Sequence, residues 1–137
     1  MDLNYNSFKE WATKRDFGDF RHLYIEVTRL IDSLYPNQEF KFFYPRNIWN
    51  TKNKEFILFV EDGYIVLNKV DNDYVIQHFV SELKSKTLKT SKYHNVNQQL
   101  ILEFRNGETL SFHSTKDSSE DWEEEYSEII RNLYKTI

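Results

Sequence analysis

The sequence predicts an α+β fold: two N-terminal helices, then a seven-stranded antiparallel, partly open barrel that is capped by a C-terminal amphipathic helix. Apolar residues recur at helical spacing in residues 1–38 and again after residue 118. Between residues 39 and 114, runs rich in aromatic and β-branched side chains are separated by turn signals, which is typical of antiparallel strands. The 137 residues are therefore expected to form one domain, with 1–38 as a helical extension and 39–137 as barrel and final helix.

The first helix is indicated by Ser7 and Glu10, which have capping-box spacing ahead of apolar residues at helical intervals. Asp19 is the predicted N-cap of the second helix, and Pro36 is expected to end it. The apolar face of this second helix is predicted to consist of Phe20, Leu23, Val27, Leu30, Ile31 and Leu34.

The seven predicted strands follow from alternating or aromatic runs bounded by turn residues. Asp62-Gly63 and Asn106-Gly107 are the two clearest hairpin signals. The strands are predicted over residues 40–44, 56–60, 64–70, 74–79, 83–91, 100–104 and 108–113.

The last hairpin allows a prediction of its register. Residues opposite each other in an antiparallel pair lie on the same side of the sheet, so the apolar side chains of both strands must match. A three-residue loop of residues 105–107 places Leu102 opposite Leu110 and Leu100 opposite Phe112. This loop predicts a type I turn followed by Gly107 in the left-handed conformation as a bulge.

The final helix is predicted to begin near Ser118, which has capping-box spacing to Asp121. Acidic residues in its first turns favour the positive end of the helix dipole. Its continuous apolar stripe is predicted to comprise Trp122, Tyr126, Ile129, Ile130, Leu133, Tyr134 and Ile137.

This element order resembles the pleckstrin-homology-like superfold, including its bacterial and GRAM-type variants. Residues 56–67 resemble the second and third strands of that fold, and residues 100–113 followed by 118–137 resemble its last hairpin and capping helix. The whole chain also resembles small uncharacterised protein families of Bacillus and its relatives. The resemblance implies a non-catalytic module that binds lipids, peptides or partner domains.

The loop between the first two strands is the ligand-binding region that the resemblance implies. Arg46, Lys52 and Lys54 supply its positive charge, and Ile48 and Trp49 are apolar residues in an otherwise polar segment. A tryptophan beside an arginine is the composition of a binding anchor. The alternative is that Trp49 packs back on the barrel mouth or on the N-terminal helices.

A phosphoinositide ligand is not expected at this mouth. Its net charge is only about +1, because four basic residues face three acidic ones, and the second strand carries no basic residue. The residues counted are Arg46, Lys52, Lys54 and Arg105 against Asp71, Asp73 and Glu108.

A second basic patch is formed by Lys84, Lys86, Lys89 and Lys92, with Tyr93 and His94 beside it. It is a candidate surface for an anionic partner. The favoured interpretation is an edge strand that lysines protect from aggregation, so no nucleic-acid partner is expected.

No enzymatic activity, metal or cofactor is expected. The chain has no cysteine and three glycines, and it lacks a nucleophile elbow or a phosphate-binding loop. His22 and Glu26 have the spacing of two metal ligands, but no third ligand is visible. The N-terminus has no signal-peptide pattern and no apolar run is long enough to cross a membrane, which favours a cytoplasmic protein.

The favoured function is a non-catalytic interaction module that binds a protein or peptide. One alternative is an immunity- or antitoxin-type inhibitor, because from Asp117 onward the chain carries seven acidic and two basic residues that would face a basic toxin. Another alternative is a barrel that holds a small molecule or lipid.

Overall fold

The computed structural model describes residues 3–14, 18–92 and 97–137. In these residues, the helices are α1 (Tyr5–Thr13), α2 (Arg21–Leu34) and α3 (Glu123–Thr136), with short 3₁₀ turns at Gly18–Phe20 and Glu120–Trp122. The strands are β1 (Phe42–Arg46), β2 (Glu55–Val60), β3 (Gly63–Val70), β4 (Asp73–Val80), β5 (Leu83–Thr90), β6 (Gln98–Phe104) and β7 (Thr109–His113). The predicted α+β class, with two helices before the strands and one after them, is confirmed.

The strands form two sheets, so the predicted seven-stranded barrel is wrong. Strands β1–β4 form one antiparallel meander and β5–β7 form another. The backbone N–H of Ser81 donates to Asp62 in the first sheet, whereas the carbonyl of Glu82 accepts from Arg105 at the end of β6. Because consecutive residues bond to different sheets, β4 and β5 diverge at this corner, and the described strands give no pairing between them.

The two N-terminal helices cover the outer face of the four-stranded sheet. The Phe8 ring lies 5.1 Å from Phe43, 5.2 Å from Tyr24 and 5.8 Å from Phe56, measured between ring centroids. On the opposite face of the same sheet, Phe59 lies 6.2 Å from Phe112 of the second sheet. β2 is therefore buried on both faces, which explains its continuous apolar run.

The helix caps differ from the predicted ones. The side chain of Asn4, not Ser7, caps α1 by accepting the N–H of Ser7 at 2.9 Å. The N-cap of α2 is Phe20, which makes no side-chain cap, and the side chain of the predicted cap Asp19 lies outside the described residues. Ser118 does not cap the last helix, because its hydroxyl donates to the carbonyl of Ser114.

The predicted register of the last hairpin is confirmed. Leu102 pairs with Leu110 and Leu100 with Phe112, and Gly107 has φ of +91°. The N–H of Gly107 donates to the carbonyl of Phe104, and the N–H of Phe104 donates to that of Glu108. Matching of apolar side chains therefore selected the three-residue loop over a tighter one.

Helix α3 bridges the two sheets. The buried ring of Tyr126 lies 5.6 Å from that of Tyr44 in β1, and its hydroxyl donates to the carbonyl of Pro45 at 2.6 Å. On the other side, the ammonium of Lys86 in β5 donates to the carbonyl of Tyr134 at 2.7 Å. Among the described residues, no helix is long and apolar enough to cross a membrane.

Gly63 is required by close backbone packing, although the sequence suggested that a turn requires it. The β2–β3 turn consists of Glu61 and Asp62, and Gly63 already pairs with Val60. A Cβ atom at Gly63 would lie 1.8 Å from the carbonyl oxygen of Phe79 in β4. Only glycine therefore allows β3 and β4 to approach here.

We expect Gly63→Ala to lower the free energy of unfolding by about 3 kcal/mol, because a backbone atom of β4 must move. Gly107→Ala is the matched control: it has open space but a left-handed backbone, so it should cost about 1.5 kcal/mol. Urea denaturation of both variants measures the difference. Equal losses would mean that the contact with β4 relaxes freely.

Candidate binding cleft

The β1–β2 loop, residues 47–54, is held in place by contacts at Ile48. This residue is only 1% exposed, and its carbonyl accepts the buried hydroxyl of Tyr24 in α2 at 2.6 Å. Burial raises the pKa of the Tyr24 hydroxyl. Ile48 therefore ties the loop to the N-terminal helices and is a core residue.

Trp49 stacks on Trp122, just before α3. The two ring centroids are 4.2 Å apart and the ring planes differ by 7°. The half-buried side chain packs on its own chain at the segment before α3, whereas the alternative had named the barrel mouth or the N-terminal helices. Ile48 and Trp49 therefore hold the loop against α2 and against the segment before α3.

Asp117 connects the loop to both sheets. One of its carboxylate oxygens accepts the Tyr44 hydroxyl and the N–H of His113, each at 2.8 Å, and the other accepts Arg46 at 3.1 Å. Its backbone carbonyl accepts the N–H of Asn47 at 2.7 Å. Asp117 therefore fixes the first residue of the loop through its backbone carbonyl, and the end of β1 through its buried carboxylate.

The positive charge of Arg46 is already balanced within the chain. Besides Asp117, its guanidinium lies 3.1 Å from the carboxylate of Glu55, and it stacks 4.9 Å from the ring centroid of Phe112. Its side chain is only 17% exposed. Arg46 lines the site but has little charge left for a ligand.

Three lysines provide the cations of the site. Lys54 places its ammonium 3.9 Å from the ring centroid of Phe20 and donates to the backbone carbonyls of Asn50 and Lys52. Burial lowers the pKa of Lys54. Neither Lys52, Lys54 nor Lys69 forms an ion pair with an acidic side chain in the described part of the chain.

Two adjoining cavities open between these lysines, with volumes of about 300 and 420 Å³. One opens on the face of the sheet that carries Phe56 and the other on the face that carries Asn68. They meet at the end of the sheet, where both are lined by Asn53, Lys54 and Lys69, so we treat them as one cleft around this end. One end has an apolar wall of Phe20, Leu23 and Phe56, with Lys52 and Asp71 at its rim. The other end is polar and is lined by Arg46, Asn47, Glu55, Asn68, Val70 and Asp117.

Asn68 presents a hydrogen-bond acceptor at the polar end. Its side-chain oxygen is buried and accepts no hydrogen bond from the described residues. A buried acceptor without a donor is costly, so a ligand that supplies an N–H or O–H group would be stabilised there.

Some of the residues predicted as a loop site lie along this cleft, and their role in binding stays a prediction. Arg46, Lys52 and Lys54 line it, as predicted for a loop site, whereas Ile48 and Trp49 do not. Lys69 and Phe20 were missed. Lys69 was detectable, because the Asp71-Asn72 turn signal places the end of β3 beside the β1–β2 loop.

Arg105 and Glu108, which were counted in the net charge of the predicted mouth, lie at the opposite end of the two sheets. Arg105 donates its backbone N–H to Glu82, and the N–H of the neighbouring Asn106 donates to Ser81. The β6–β7 loop, which also holds Glu108, therefore packs against the β4–β5 corner and does not join the cleft.

The second predicted basic patch is divided among different contacts. Lys84 lies 3.6 Å from Glu103, and Lys86 bonds to the backbone of α3. Lys89 lines a separate polar cavity with His113 and Lys116, and Lys92 is exposed. Tyr93 and His94 lie outside the described residues.

Comparisons of the chain with protein-family models, curated proteins and solved structures found no match. The resemblance to the pleckstrin-homology-like superfold and to Bacillus families therefore stays a prediction. Among the described residues, no group of three or more histidine and acidic side chains is arranged to hold a metal ion.

Proposed function

We propose that this chain is a non-catalytic binding domain whose cleft takes an acidic segment of a partner protein or peptide. The observation that carries the proposal is Lys54. Its ammonium is partly withdrawn from water beside Phe20 and has no carboxylate partner in the described chain. A bound carboxylate would restore the pKa of Lys54 and repay its desolvation.

The other walls of the cleft favour a peptide as the source of that carboxylate. The oxygen of Asn68 would accept a backbone N–H, and the wall formed by Phe20, Leu23 and Phe56 would cover an apolar side chain. A peptide brings an anion, an N–H donor and an apolar group within a few residues of one another. An acidic residue next to a leucine or phenylalanine is the simplest match.

A phosphoinositide headgroup fits the cleft less well. The carboxylates of Glu55 and Asp71 line it, and they would repel a headgroup with several phosphates. An acidic segment instead carries single charges spread along its length, so Lys52, Lys54 and Lys69 can each pair with one carboxylate.

Calorimetric titration with the peptide GSLEDEDFSG tests the proposal. We expect binding that weakens at high salt, and at least about tenfold weaker binding by the Lys52→Ala/Lys69→Ala variant. The matched control is Lys41→Ala/Lys135→Ala, which removes the same charge from exposed lysines outside the cleft. It should retain the affinity of the unmodified chain.

Two results would contradict this function. Equal losses in both double variants would indicate a general effect of net charge, and binding only to anionic lipid vesicles would replace the peptide with a membrane surface. Thermal unfolding of both variants provides the control for folding.

The acidic face of α3 supports the second candidate, an immunity- or antitoxin-type inhibitor. Four acidic side chains in and just before this helix are exposed and form no ion pair in the described chain: Glu120, Asp121, Glu124 and Glu128. Asp117, by contrast, is paired with Arg46. The peptide GSLKRKRFSG, titrated in parallel, separates the two functions. Tight binding of this basic peptide, without binding of the acidic one, would favour the inhibitor.

A further inference from the structure

Strand β4 forms an uncovered edge of the four-stranded sheet. It lies last in the strand order, and no backbone group of the described chain outside β3 bonds to residues 73–80. From Tyr74 to Val80 the strand has no lysine, arginine, acidic residue, proline or glycine. Long apolar edges of this kind pair readily with another strand.

Two other sheet edges of this protein, β1 and β5, are protected. Pro45 interrupts β1, and β5 carries Lys84, Lys86 and Lys89. Both are devices that discourage the pairing of an edge with another strand. β4 has neither, although its Val75 is 41% and its Val80 is 69% exposed.

The β4 backbone is already ordered for pairing. Asp73 closes the two-residue β3–β4 turn by pairing with Val70. Because hydrogen-bonded pairs alternate along an antiparallel ladder, the amides of Tyr74, Ile76, His78 and Val80 point to the free edge.

Two side chains of β4 are also anchored to the rest of the molecule. The Tyr74 hydroxyl donates to Glu26 of α2, and His78 lies 3.0 Å from Asp62. Little conformational freedom would therefore be lost when a second strand docks on this edge.

We propose that the occupant of this edge is β4 of a second copy of the chain, paired antiparallel about a two-fold axis at Gln77. Both faces of the sheet then continue across the axis, and the outward-pointing amides meet one another. In this register Val75 lies opposite Phe79 of the second copy, and Ile76 lies opposite His78. No like charges oppose each other between Tyr74 and Val80, so the edge is complementary to itself.

The register has a specific consequence at Gln77. This exposed side chain would face Gln77 of the second copy directly. A charge at this position would therefore be repelled by its own copy, and an opposite charge on the second chain would cancel the repulsion.

Sedimentation of the full chain from roughly 5 to 500 µM tests the dimer, because an association of this kind depends on protomer concentration. We expect the unmodified chain to dimerise, and Gln77→Lys and Gln77→Glu each to raise the dissociation constant at least about tenfold. An equimolar mixture of the two variants should recover the dimer. Asn72→Lys is the matched control, because it adds the same charge in the neighbouring turn outside the paired residues.

A chain that stays monomeric over the whole concentration range would overturn the proposal. So would a dimer that both Gln77 variants leave intact, since its interface would then lie elsewhere. Circular dichroism of each variant establishes that the fold is retained.

Discussion

Replacing Asp117 with alanine should lower the free energy of unfolding by about 4 kcal/mol. The carboxylate has three donors in a site where it is almost fully buried: Tyr44, Arg46 and the N–H of His113. Removing it leaves two neutral donors without their acceptor and the partly buried guanidinium of Arg46 with Glu55 alone. Urea denaturation monitored by tryptophan fluorescence measures the loss.

Asp117→Asn is the conservative variant of this site. It keeps one oxygen for Arg46 but turns an NH₂ group toward the Tyr44 hydroxyl and the N–H of His113, so we expect about half the loss. Asp32→Ala is the matched surface control, because Asp32 is exposed and also accepts a tyrosine hydroxyl, that of Tyr5. It should cost less than about 1 kcal/mol. A similar cost for Asp32→Ala and Asp117→Ala would show that burial of the carboxylate contributes nothing.

The Asp117 network also connects stability with the proposed peptide site. Asn47 and Arg46, which precede the loop lysines, are both held by Asp117. Asp117→Asn leaves the backbone bond to Asn47 in place but removes the charge that pairs with Arg46, which should loosen the cleft as well as the core. We expect Asp117→Asn to bind the acidic peptide more weakly than the unmodified chain at a temperature where both are folded.

Local pairing rules were sufficient to predict some features from the sequence. The register of the last hairpin follows from the match between Leu102 and Leu110, which needs only neighbouring residues. The apolar run of residues 56–60 likewise predicted a strand, and its burial on both faces was seen only in the fold. The backbone fixes the direction of each side chain within a helix or strand. Features that depend only on side-chain spacing in one or two elements can therefore be predicted from the sequence.

Features that depend on contacts between distant elements were not predicted. The sheets separate at Ser81 and Glu82, whose backbone groups bond to those of Asp62 and Arg105, residues about twenty positions away in sequence. Trp49 is a similar case. The sequence left open whether it is a binding anchor or packs on its own chain, and it did not identify Trp122, distant in sequence, as the residue on which it stacks.

The cleft illustrates the same division. The loop lysines were visible in the sequence, whereas the neutralisation of Arg46 by Asp117 required the fold. Counting charges along a chain assigns equal weight to every lysine and arginine. The structure separates the cation that is already paired from the three that are not.

Buried tyrosines should make the protein unusually sensitive to alkali. The hydroxyls of Tyr24, Tyr44 and Tyr126 each donate to an oxygen: the carbonyl of Ile48, the carboxylate of Asp117 and the carbonyl of Pro45. Burial is the main cause that raises the pKa of all three hydroxyls, and the nearby Asp117 raises those of Tyr44 and Tyr126 further. A phenolate would face an oxygen atom that can only accept.

The sign of the pH dependence follows from these shifts. Below a pH of about 10, folded and unfolded states both keep the hydroxyl protons, so the tyrosines add no pH dependence. Above it the unfolded chain releases them while the folded chain retains them, and stability falls as the pH rises. Each tyrosine contributes about 1.4 kcal/mol at one pH unit above its unfolded pKa, so the three together lower stability by about 4 kcal/mol near pH 11.

Urea denaturation at a series of pH values from about 8 to 11 measures this loss, and absorbance near 295 nm reports when the phenolates form. Tyr24→Phe is the discriminating variant. It forfeits the bond to Ile48 at neutral pH but should reduce the alkaline loss near pH 11 by about 1.4 kcal/mol, since one titrating group is removed. Its free energy of unfolding should therefore converge on that of the unmodified chain as the pH rises. An alkaline loss that is unchanged in Tyr24→Phe would mean that this hydroxyl ionises as readily in the folded chain as in the unfolded one.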